Sequence, residues 1–213
     1  MALSALNSAA RTKAYLIRDH LQTLLPTLYQ ETVIKPELIR TVQMGPWTHK
    51  VDDGLEARKT AYETLYTLVG VNLSLESEWP LILPQLDTCL SKLDLHEFLG
   101  RVIQGLTDDS DEIKVICHMM LFRLPQLAPA AVSQRLDEIT PFLEKSMKGA
   151  TVTKDTVKQD LERAAELQRS TLRAVVALGK ISGSGNSPKF DKFVAEVRMS
   201  SQWAAEFKDL QGV

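Results

Sequence analysis

This sequence contains few of the residues that form disulfides or bind metal ions. Its 213 residues include only two cysteines, Cys89 and Cys117, without CxxC spacing. This pattern fits reduced thiols in a cytosolic or nuclear protein better than a disulfide framework. The histidines are scattered too, without HxxxH or HExxH spacing, at positions 20, 49, 96 and 118. We therefore expect no metal site.

The sequence also lacks an excess of one charge and a long apolar run. The net charge is −2 and the sequence pI is about 6.1, so no general attraction to nucleic acid or anionic membrane is expected. The apolar segment 79–84 contains two prolines and is far too short to cross a bilayer. The N-terminus does not resemble a signal peptide. We expect a soluble protein of the cytoplasm and nucleus that binds neither nucleic acid nor membranes.

Motifs of catalysis are missing as well. Gly179 and Lys180 resemble the end of a phosphate loop, but the upstream glycine and the following Ser or Thr are absent. The segment 183–185 is too short and wrongly placed for a nucleophile elbow. The acidic residues lie among basic neighbours, as is usual on solvated helix surfaces. We expect no enzymatic activity and no cofactor.

What the sequence does contain is helical periodicity along most of its length. Apolar residues recur at i, i+3 and i+4, starting with Leu3 and Leu6. A loop is expected at about 70–84, and the Gly- and Ser-rich segment 182–188 is expected to be a flexible linker before a C-terminal helical cap at 189–213. The predicted helices are 16–28, 55–69, 96–106, 112–126, 130–147, 153–180, 189–199 and 201–210.

Some of these helices resemble one another. Two of them follow acidic residues and carry a base near their start, Arg58 in one and Lys114 in the other, and a looser third copy has Gln168 there. The spacings are 56 (114 − 58) and 54 (168 − 114). Small or apolar residues follow each of these positions at helical intervals, and Pro26 and Pro141 lie in the helices ahead of two copies. The pattern predicts an all-α fold, a HEAT-repeat α-solenoid of antiparallel helix pairs over 1–181.

One segment alternates like a β-strand. Arg40, Val42 and Met44 would lie on one face, and a Gly-Pro break precedes a second alternating run. We predict a protruding hairpin at about 36–53 with its tip at Gly45 and Pro46. Trp47 and His49 would lie on its descending strand.

The chemistry of this hairpin leaves two interpretations open. Trp47 and Met44 at an exposed tip would favour binding to another protein, since aromatic residues are enriched among interface hot spots. Alternatively, both side chains fold back and fill the groove of the solenoid.

Several strings of the sequence point to a known family. The chain resembles the C-terminal region of the cullin-associated and neddylation-dissociated proteins, also called the TATA-binding-protein-interacting family. The most specific match is MGPWTHKVDDGL at 44–55, and the resemblance is densest between Asn7 and Leu68. Further matching strings are NSAA at 7–10, LIRD at 16–19, LLPTLYQET at 24–32, ELIR at 37–40 and STLRAV at 170–175.

The resemblance implies a function. Members of the family are long HEAT solenoids that wrap an unneddylated cullin carrying its RING subunit. Their C-terminal repeats hold the N-terminal part of the cullin, and a hairpin there occupies the place of the substrate adaptor. They act as assembly inhibitors and exchange factors for substrate receptors. By this resemblance the hairpin is Leu38–Val51, and its contact residues are Arg40, Val42, Met44, Gly45, Pro46, Trp47 and His49.

Two expectations concern the extent of the chain. Compared with the family, it carries extra residues between Leu68 and Leu86. It also opens inside an apolar helix, which indicates either a fragment or a natural subunit whose N-terminal half is a separate chain. The alternative to cullin binding is a generic HEAT scaffold that serves transport or transcription.

Overall fold

A computed structural model describes residues 2–78, 93–148, 158–183 and 185–212. Cys89 and the second half of the predicted loop 70–84 lie outside these ranges. Within them the chain is helical apart from one pair of strands. None of the described helices combines the length and apolar character needed to cross a membrane.

The elements follow one another in a simple order. A 3-10 turn at Pro36–Leu38 precedes the two strands, β1 (Ile39–Met44) and β2 (Trp47–Asp52). The helices are α1 (Ala2–Thr12), α2 (Ala14–Arg18), α3 (Leu21–Glu31), α4 (Leu55–Glu78), α5 (Leu95–Leu106), α6 (Asp111–Leu127), α7 (Pro129–Ser133), α8 (Leu136–Lys148), α9 (Lys158–Gly179), α10 (Pro188–Met199) and α11 (Ala204–Gln211).

The chain forms two compact units, residues 1–94 and 95–213. In the first unit, α1 and α3 both pack against α4. A buried polar contact joins α1 to α4, with Thr67 Oγ1 3.0 Å from Asn7 Oδ1. Each buried leucine contributes about 1.5–3 kcal/mol through removal from water. The core residues of this unit include Ala10, Leu21, Leu25, Leu28, Ala61, Tyr62, Leu65 and Leu68.

The second unit is centred on α6 and α9, which pack against each other. Helices α5 and α6 also pack together, and since only residues 107–110 join them, they run antiparallel. Helix α8 lies against α9, and α10 packs on α8. Fully buried side chains of this unit include Phe98, Ile113, Met120, Leu121, Leu124, Leu143, Leu172 and Phe190.

The repeated pattern in the sequence corresponds to a repeated local structure. The residues four, eight and eleven positions after Ala57, Ile113 and Leu167 are all buried. Arg58 pairs with Asp52 at 2.9 Å, and Lys114 pairs with Asp111 at 2.8 Å. At the third site, Gln168 donates to the carbonyl oxygen of Met147 at 3.0 Å.

The turn ahead of the repeated helix is also the same in both units. The Asp52 side chain accepts from the backbone N–H of Gly54 at 2.9 Å, just before α4 begins. The Asp108 side chain accepts from the N–H of Ser110 at 2.8 Å, just before α6. Such a turn satisfies a backbone donor at the helix start. The predicted all-α fold of HEAT-repeat type with one β-hairpin is confirmed.

Three predicted boundaries need correction. Helix α4 continues to Glu78, so the loop predicted from Gly70 is wrong in its first part. A glycine inside a helix costs only about 1 kcal/mol relative to alanine, and Gly70 is buried in α4, so packing outweighs its poor propensity. The single helices predicted at 16–28 and 130–147 are each divided, at Asp19–His20 and at Gln134–Arg135.

The predicted linker at 182–188 and cap at 189–213 make defined contacts with the preceding helices. The backbone N–H groups of Lys189 and Phe190 both donate to the Asp137 side chain at 3.1 Å. Ser187 is buried, and its Oγ donates to the carbonyl oxygen of Ser133 at 3.4 Å. Asp137 of α8 therefore caps the N-terminus of α10, whose own N-cap residue, Ser187, makes no capping hydrogen bond with its side chain. The C-terminal helices belong to the second unit, residues 95–213. The division into a solenoid over 1–181, a linker and a cap stays a prediction.

Candidate functional site

The two strands form an antiparallel hairpin with a two-residue loop. Met44 stands opposite Trp47, and Gly45 and Pro46 connect them. Gly45 has a φ of 61°, which is the positive value that a type II′ turn requires at its first central residue. The tip predicted from the Gly-Pro break is confirmed. Leu38 is not part of the strand as predicted, because it belongs to the preceding 3-10 turn.

The strand register gathers the predicted contact residues on one side. Directly opposite residues of an antiparallel pair share a face, and every second residue along a strand does so as well. The pairs Arg40–Val51, Val42–His49 and Met44–Trp47 therefore lie side by side along one face. We call this the apolar face of the hairpin, and Arg40, Val42, Met44, Trp47, His49 and Val51 define it.

The outer end of the apolar face is open to solvent. The Trp47 side chain is 71% exposed and Met44 is 62% exposed. His49 is exposed as well, whereas Val42 and Val51 are half-buried toward the base. These exposures contradict the interpretation in which Trp47 and Met44 fold back and fill a groove. A tryptophan and a methionine held in water make this tip a candidate contact for another protein.

The opposite face of the hairpin is polar. Its members beyond the base are Thr41, Lys50, Gln43 and Thr48. Gln43 Nε2 donates to the carbonyl oxygen of Gly45 at 3.0 Å, and Thr48 Oγ1 lies 3.4 Å from Gln43 Oε1. The contacts support the turn from the solvent side. Only the apolar face thus offers a partner an area that gains from leaving water.

An exposed ion pair and a backbone bond close the base of the hairpin. The N–H of Asp53 donates to the carbonyl oxygen of Leu38 at 3.0 Å. Arg40 Nε donates to Asp53 Oδ2 at 2.6 Å, and Arg40 Nη2 donates to Oδ1 at 3.2 Å. The hydrogen bond from Arg40 lowers the pKa of Asp53. Since both side chains are exposed, the solvent screens this pair strongly.

A second, buried ion pair fixes the hairpin to α4. The Arg58 side chain is only 3% exposed and lies 2.9 Å from Asp52 Oδ2, at the end of β2. The same aspartate binds the N–H of Gly54 through Oδ1. A Cβ at Gly54 would lie 3.0 Å from Leu38 Cδ1 and 3.3 Å from Asp52 Oδ1, so glycine allows this close approach. An isolated hairpin is marginal in water, and this anchor supplies its missing support.

Asp52, Gly54 and Arg58 were not predicted as residues of the site. In the sequence, the two aspartates indicate only negative charge for the helix N-terminus, and Arg58 only a repeat position. The sequence nevertheless contains a pattern that relates Asp52 to Arg58. The two residues have the same spacing as Asp108 and Lys114 in the next repeat.

Because of the buried ion pair, replacing Asp52 should affect stability more than replacing its neighbour Asp53. Asp52→Asn keeps the acceptor for Gly54 but removes the negative charge beside buried Arg58. We expect the free energy of unfolding to fall by about 2 kcal/mol, measured by urea denaturation. The matched control is Asp53→Asn, which breaks the exposed pair with Arg40 and should change stability little. Equal losses in the two variants would contradict the anchoring role of Asp52.

The remaining reactive residue types are buried or dispersed. Burial, together with the charge of Asp108, raises the pKa of the Cys117 thiol, which opposes formation of a thiolate. His118 is fully buried, with Nδ1 3.1 Å from Ser170 Oγ and 3.3 Å from Thr171 Oγ1. Both hydroxyls also bond the carbonyl oxygen of Leu167. In the described part of the chain, no three His, Cys, Asp or Glu residues come together to hold a metal ion.

Comparison with known proteins identifies relatives of the whole chain. The cullin-associated NEDD8-dissociated protein 2 of Rattus norvegicus is 41% identical over 98% of this chain and 15% of its own length. The cullin-associated NEDD8-dissociated protein 1 of Dictyostelium discoideum is 40% identical over 98% of this chain and 15% of its own length. The C-terminal part of the Emericella nidulans protein 1 is 36% identical over 99% of this chain and 19% of its own length.

These relatives confirm the resemblance carried by the hairpin string and the flanking helices. The chain spans less than a fifth of the length of each of them. A family profile described as TATA-binding protein interacting (TIP20) matches residues 16–198, which is most of the chain. The chain therefore belongs to the TATA-binding protein interacting (TIP20) family.

Proposed function

We propose that this chain is a cullin-binding regulatory module whose hairpin contacts the N-terminal part of an unneddylated cullin. The observation that carries the proposal is the exposure of Trp47 and Met44 on a hairpin anchored by buried Arg58. The names of the relatives add the partner class, since they describe cullin-associated, NEDD8-dissociated proteins. A rigidly held aromatic residue binds with little loss of side-chain entropy, which favours a hot spot here.

In this proposal the hairpin occupies the place of the substrate adaptor. Two proteins that need the same surface exclude each other by mass action, so the module opposes adaptor binding and allows adaptors to be exchanged. Its action would inhibit assembly of the ubiquitin ligase and support exchange of its substrate receptors. The cullin would carry its RING subunit. The site of action would be the cytoplasm and nucleus.

The test is a competition measurement with purified proteins. The 213-residue chain is immobilised, unmodified cullin with its RING subunit is titrated, and the titration is repeated at a series of saturating concentrations of adaptor. We expect the apparent Kd to rise in proportion to the adaptor concentration, as for two ligands of one site. An unrelated protein at the same concentration is the control. A ternary complex with unchanged affinity would contradict competition.

A second outcome of the same measurement would favour the alternative function over cullin binding. If the chain binds no cullin at all while folding normally, a generic HEAT scaffold for transport or transcription becomes the better explanation. The hairpin would then serve a partner of another class. Exposed apolar residues at its tip would still require one.

A further inference from the structure

The second unit contains a groove that the hairpin-based function does not use. It has a volume of about 330 Å³ and lies between α6, α9 and α11. Phe122 borders it on α6, Val176 and Ile181 line it from the α9 side, and Leu210 closes it from α11. This size is at the lower end of ligand pockets, which measure about 300–1,000 Å³. The groove can therefore take a few side chains rather than a folded domain.

The apolar character of the groove extends onto the surface of α6. Phe122 is 43% exposed, and Met119, three residues earlier, is 39% exposed. Residues three apart on a helix are neighbours on its surface. The two side chains thus form a strip beside the groove that remains in contact with water. Such a strip beside a cavity is typical of a surface that receives another apolar segment.

Two cations border this apolar groove. Arg173 and Lys180 both contribute to its lining and both are exposed. Within the described ranges neither of them takes part in an ion pair or side-chain hydrogen bond. Other cations of the same unit do so, for example Lys114 with Asp111 and Arg135 with Glu138. Unbalanced positive charge beside an apolar surface selects partners that carry negative charge at the same place.

The spacing of the cations indicates the shape of the partner. Arg173 lies in α9. Lys180 is seven positions after Arg173 and directly follows the last residue of α9. At 1.5 Å per residue, their backbones are about 10 Å apart along the helix direction. A helix laid alongside would meet both cations with carboxylates about two turns apart. Between these carboxylates it would present its apolar residues at i, i+3 and i+4.

We propose that this groove binds an acidic amphipathic helix of another protein. Its bulky apolar residues would pack against Phe122, Val176 and Leu210, and its carboxylates would lie beside Arg173 and Lys180. The hairpin belongs to the first unit and the groove to the second, so the two sites share no residues. The inference stands apart from the proposed cullin contact.

The test uses a designed helical peptide of about 16 residues with leucines on one face and glutamates bordering that face. It carries a fluorescein label, and its binding to the 213-residue chain is followed by fluorescence anisotropy. We expect saturable binding that weakens as salt is added. Phe122→Ala should raise the Kd about tenfold, as for a contact residue at the centre of an interface. Met199→Ala, at the 87% exposed Met199, is the control for loss of an exposed apolar side chain.

The charge contacts are tested by reversing the charges of the two cations and, in a second peptide, the charges of the glutamates. The double variant Arg173→Glu with Lys180→Glu should bind the glutamate peptide at least about tenfold more weakly. It should bind a matched peptide with lysine in place of glutamate more tightly than the unaltered chain does. The double variant Lys145→Glu with Lys148→Glu, on the exposed surface of α8, makes the same change in net charge and is the control.

Three results would overturn the inference. They are equal binding of the glutamate and lysine peptides, an unchanged Kd in Phe122→Ala, and failure of the charge exchange to restore binding. Melting curves and circular dichroism of every variant establish that it is folded. Phe122, Arg173 and Lys180 all have solvent-exposed side chains, so these substitutions leave the core intact.

Discussion

Replacing Met44 and Trp47 together by alanine is expected to raise the Kd for unmodified cullin about 100-fold, with no loss of stability. The side chains stand opposite each other at the tip and are 62% and 71% exposed. Truncation of a central aromatic contact commonly costs about 2 kcal/mol or more, and about 2.7 kcal/mol corresponds to 100-fold in affinity. Because the folded chain hardly buries these side chains, the free energy of unfolding should remain within about 0.5 kcal/mol.

The measurement combines calorimetric titration of cullin with thermal unfolding of the variant alone. Met199→Ala removes an exposed methionine in the other unit and should leave both quantities unchanged. Trp47→Phe should retain part of the affinity, since it keeps an aromatic ring at the tip. Unaltered cullin affinity in the double variant would show that the apolar face is not the contact. A fall in melting temperature would show that the tip stabilises the fold instead.

Acidification is expected to destabilise the second unit through one buried histidine. The hydroxyls of Ser170 and Thr171 both direct their protons to Leu167, so the neutral ring of His118 carries its proton on Nδ1. Its Nε2 is buried and has no hydrogen-bond partner in the described chain. Burial, with a smaller contribution from the positive charge of Lys114, lowers the pKa of His118 from 6.5 to about 3. Protonation would place an unpaired charge in the core.

The sign of the effect follows from linkage. The folded chain binds this proton only near pH 3, whereas the unfolded chain binds it below about pH 6.5. Stability is therefore complete above pH 6.5 and falls as the pH is lowered toward 3. Between about pH 7 and about pH 4.5 we expect a loss of roughly 3 kcal/mol from this residue, since each pH unit below about 6.5 contributes about 1.4 kcal/mol.

Urea denaturation at about pH 7 and about pH 4.5 tests this expectation. His118→Asn can still donate to the hydroxyl groups but does not titrate. It should be less stable at neutral pH, where it leaves a small cavity, and should lose less stability on acidification. His20→Asn, at an exposed histidine, should keep the full pH dependence of the unaltered chain. The same acid loss in His118→Asn would assign the effect to other groups.

The hairpin is the part of the site most accessible from sequence. Alternation with period two determines which residues share a face, and a Gly-Pro pair leaves a single position for the turn. Arg40, Val42 and Met44 can therefore be placed together from the sequence alone. Their exposure cannot, because alternation does not say whether a face is buried. The 71% exposure of Trp47 decides between the two interpretations.

Other features depend on contacts between distant residues. Asp52 and Asp53 are chemically identical neighbours, and only the fold directs one to buried Arg58 and the other to exposed Arg40. Gly70 suggests a loop by its propensity, which the packing of α4 overrides. The capping of α10 by Asp137 joins residues more than fifty positions apart. Local patterns give no information about such pairs.

The groove of the second unit shows most clearly that local sequence patterns do not predict contacts between distant residues. Its residues come from three helices and from the turn after α9, and they are separated by up to 88 positions (210 − 122). Each of them is ordinary in its own helix. Only the packing of α6, α9 and α11 brings these apolar residues and two exposed cations together.

The turn shared by Asp52 and Asp108 has a consequence for how this architecture acquires new specificity. Each aspartate bonds the N–H two residues on, immediately before its helix, and in the first unit the hairpin enters directly ahead of that turn. The hairpin thus stands directly in front of a repeat element whose turn has the same form in the second unit, where α5 rather than a hairpin precedes it. Residues 40–49 could be exchanged for another recognition sequence while Asp52, Gly54 and Arg58 keep its direction. The short loop of residues 107–110 provides an equivalent place for a second grafted hairpin.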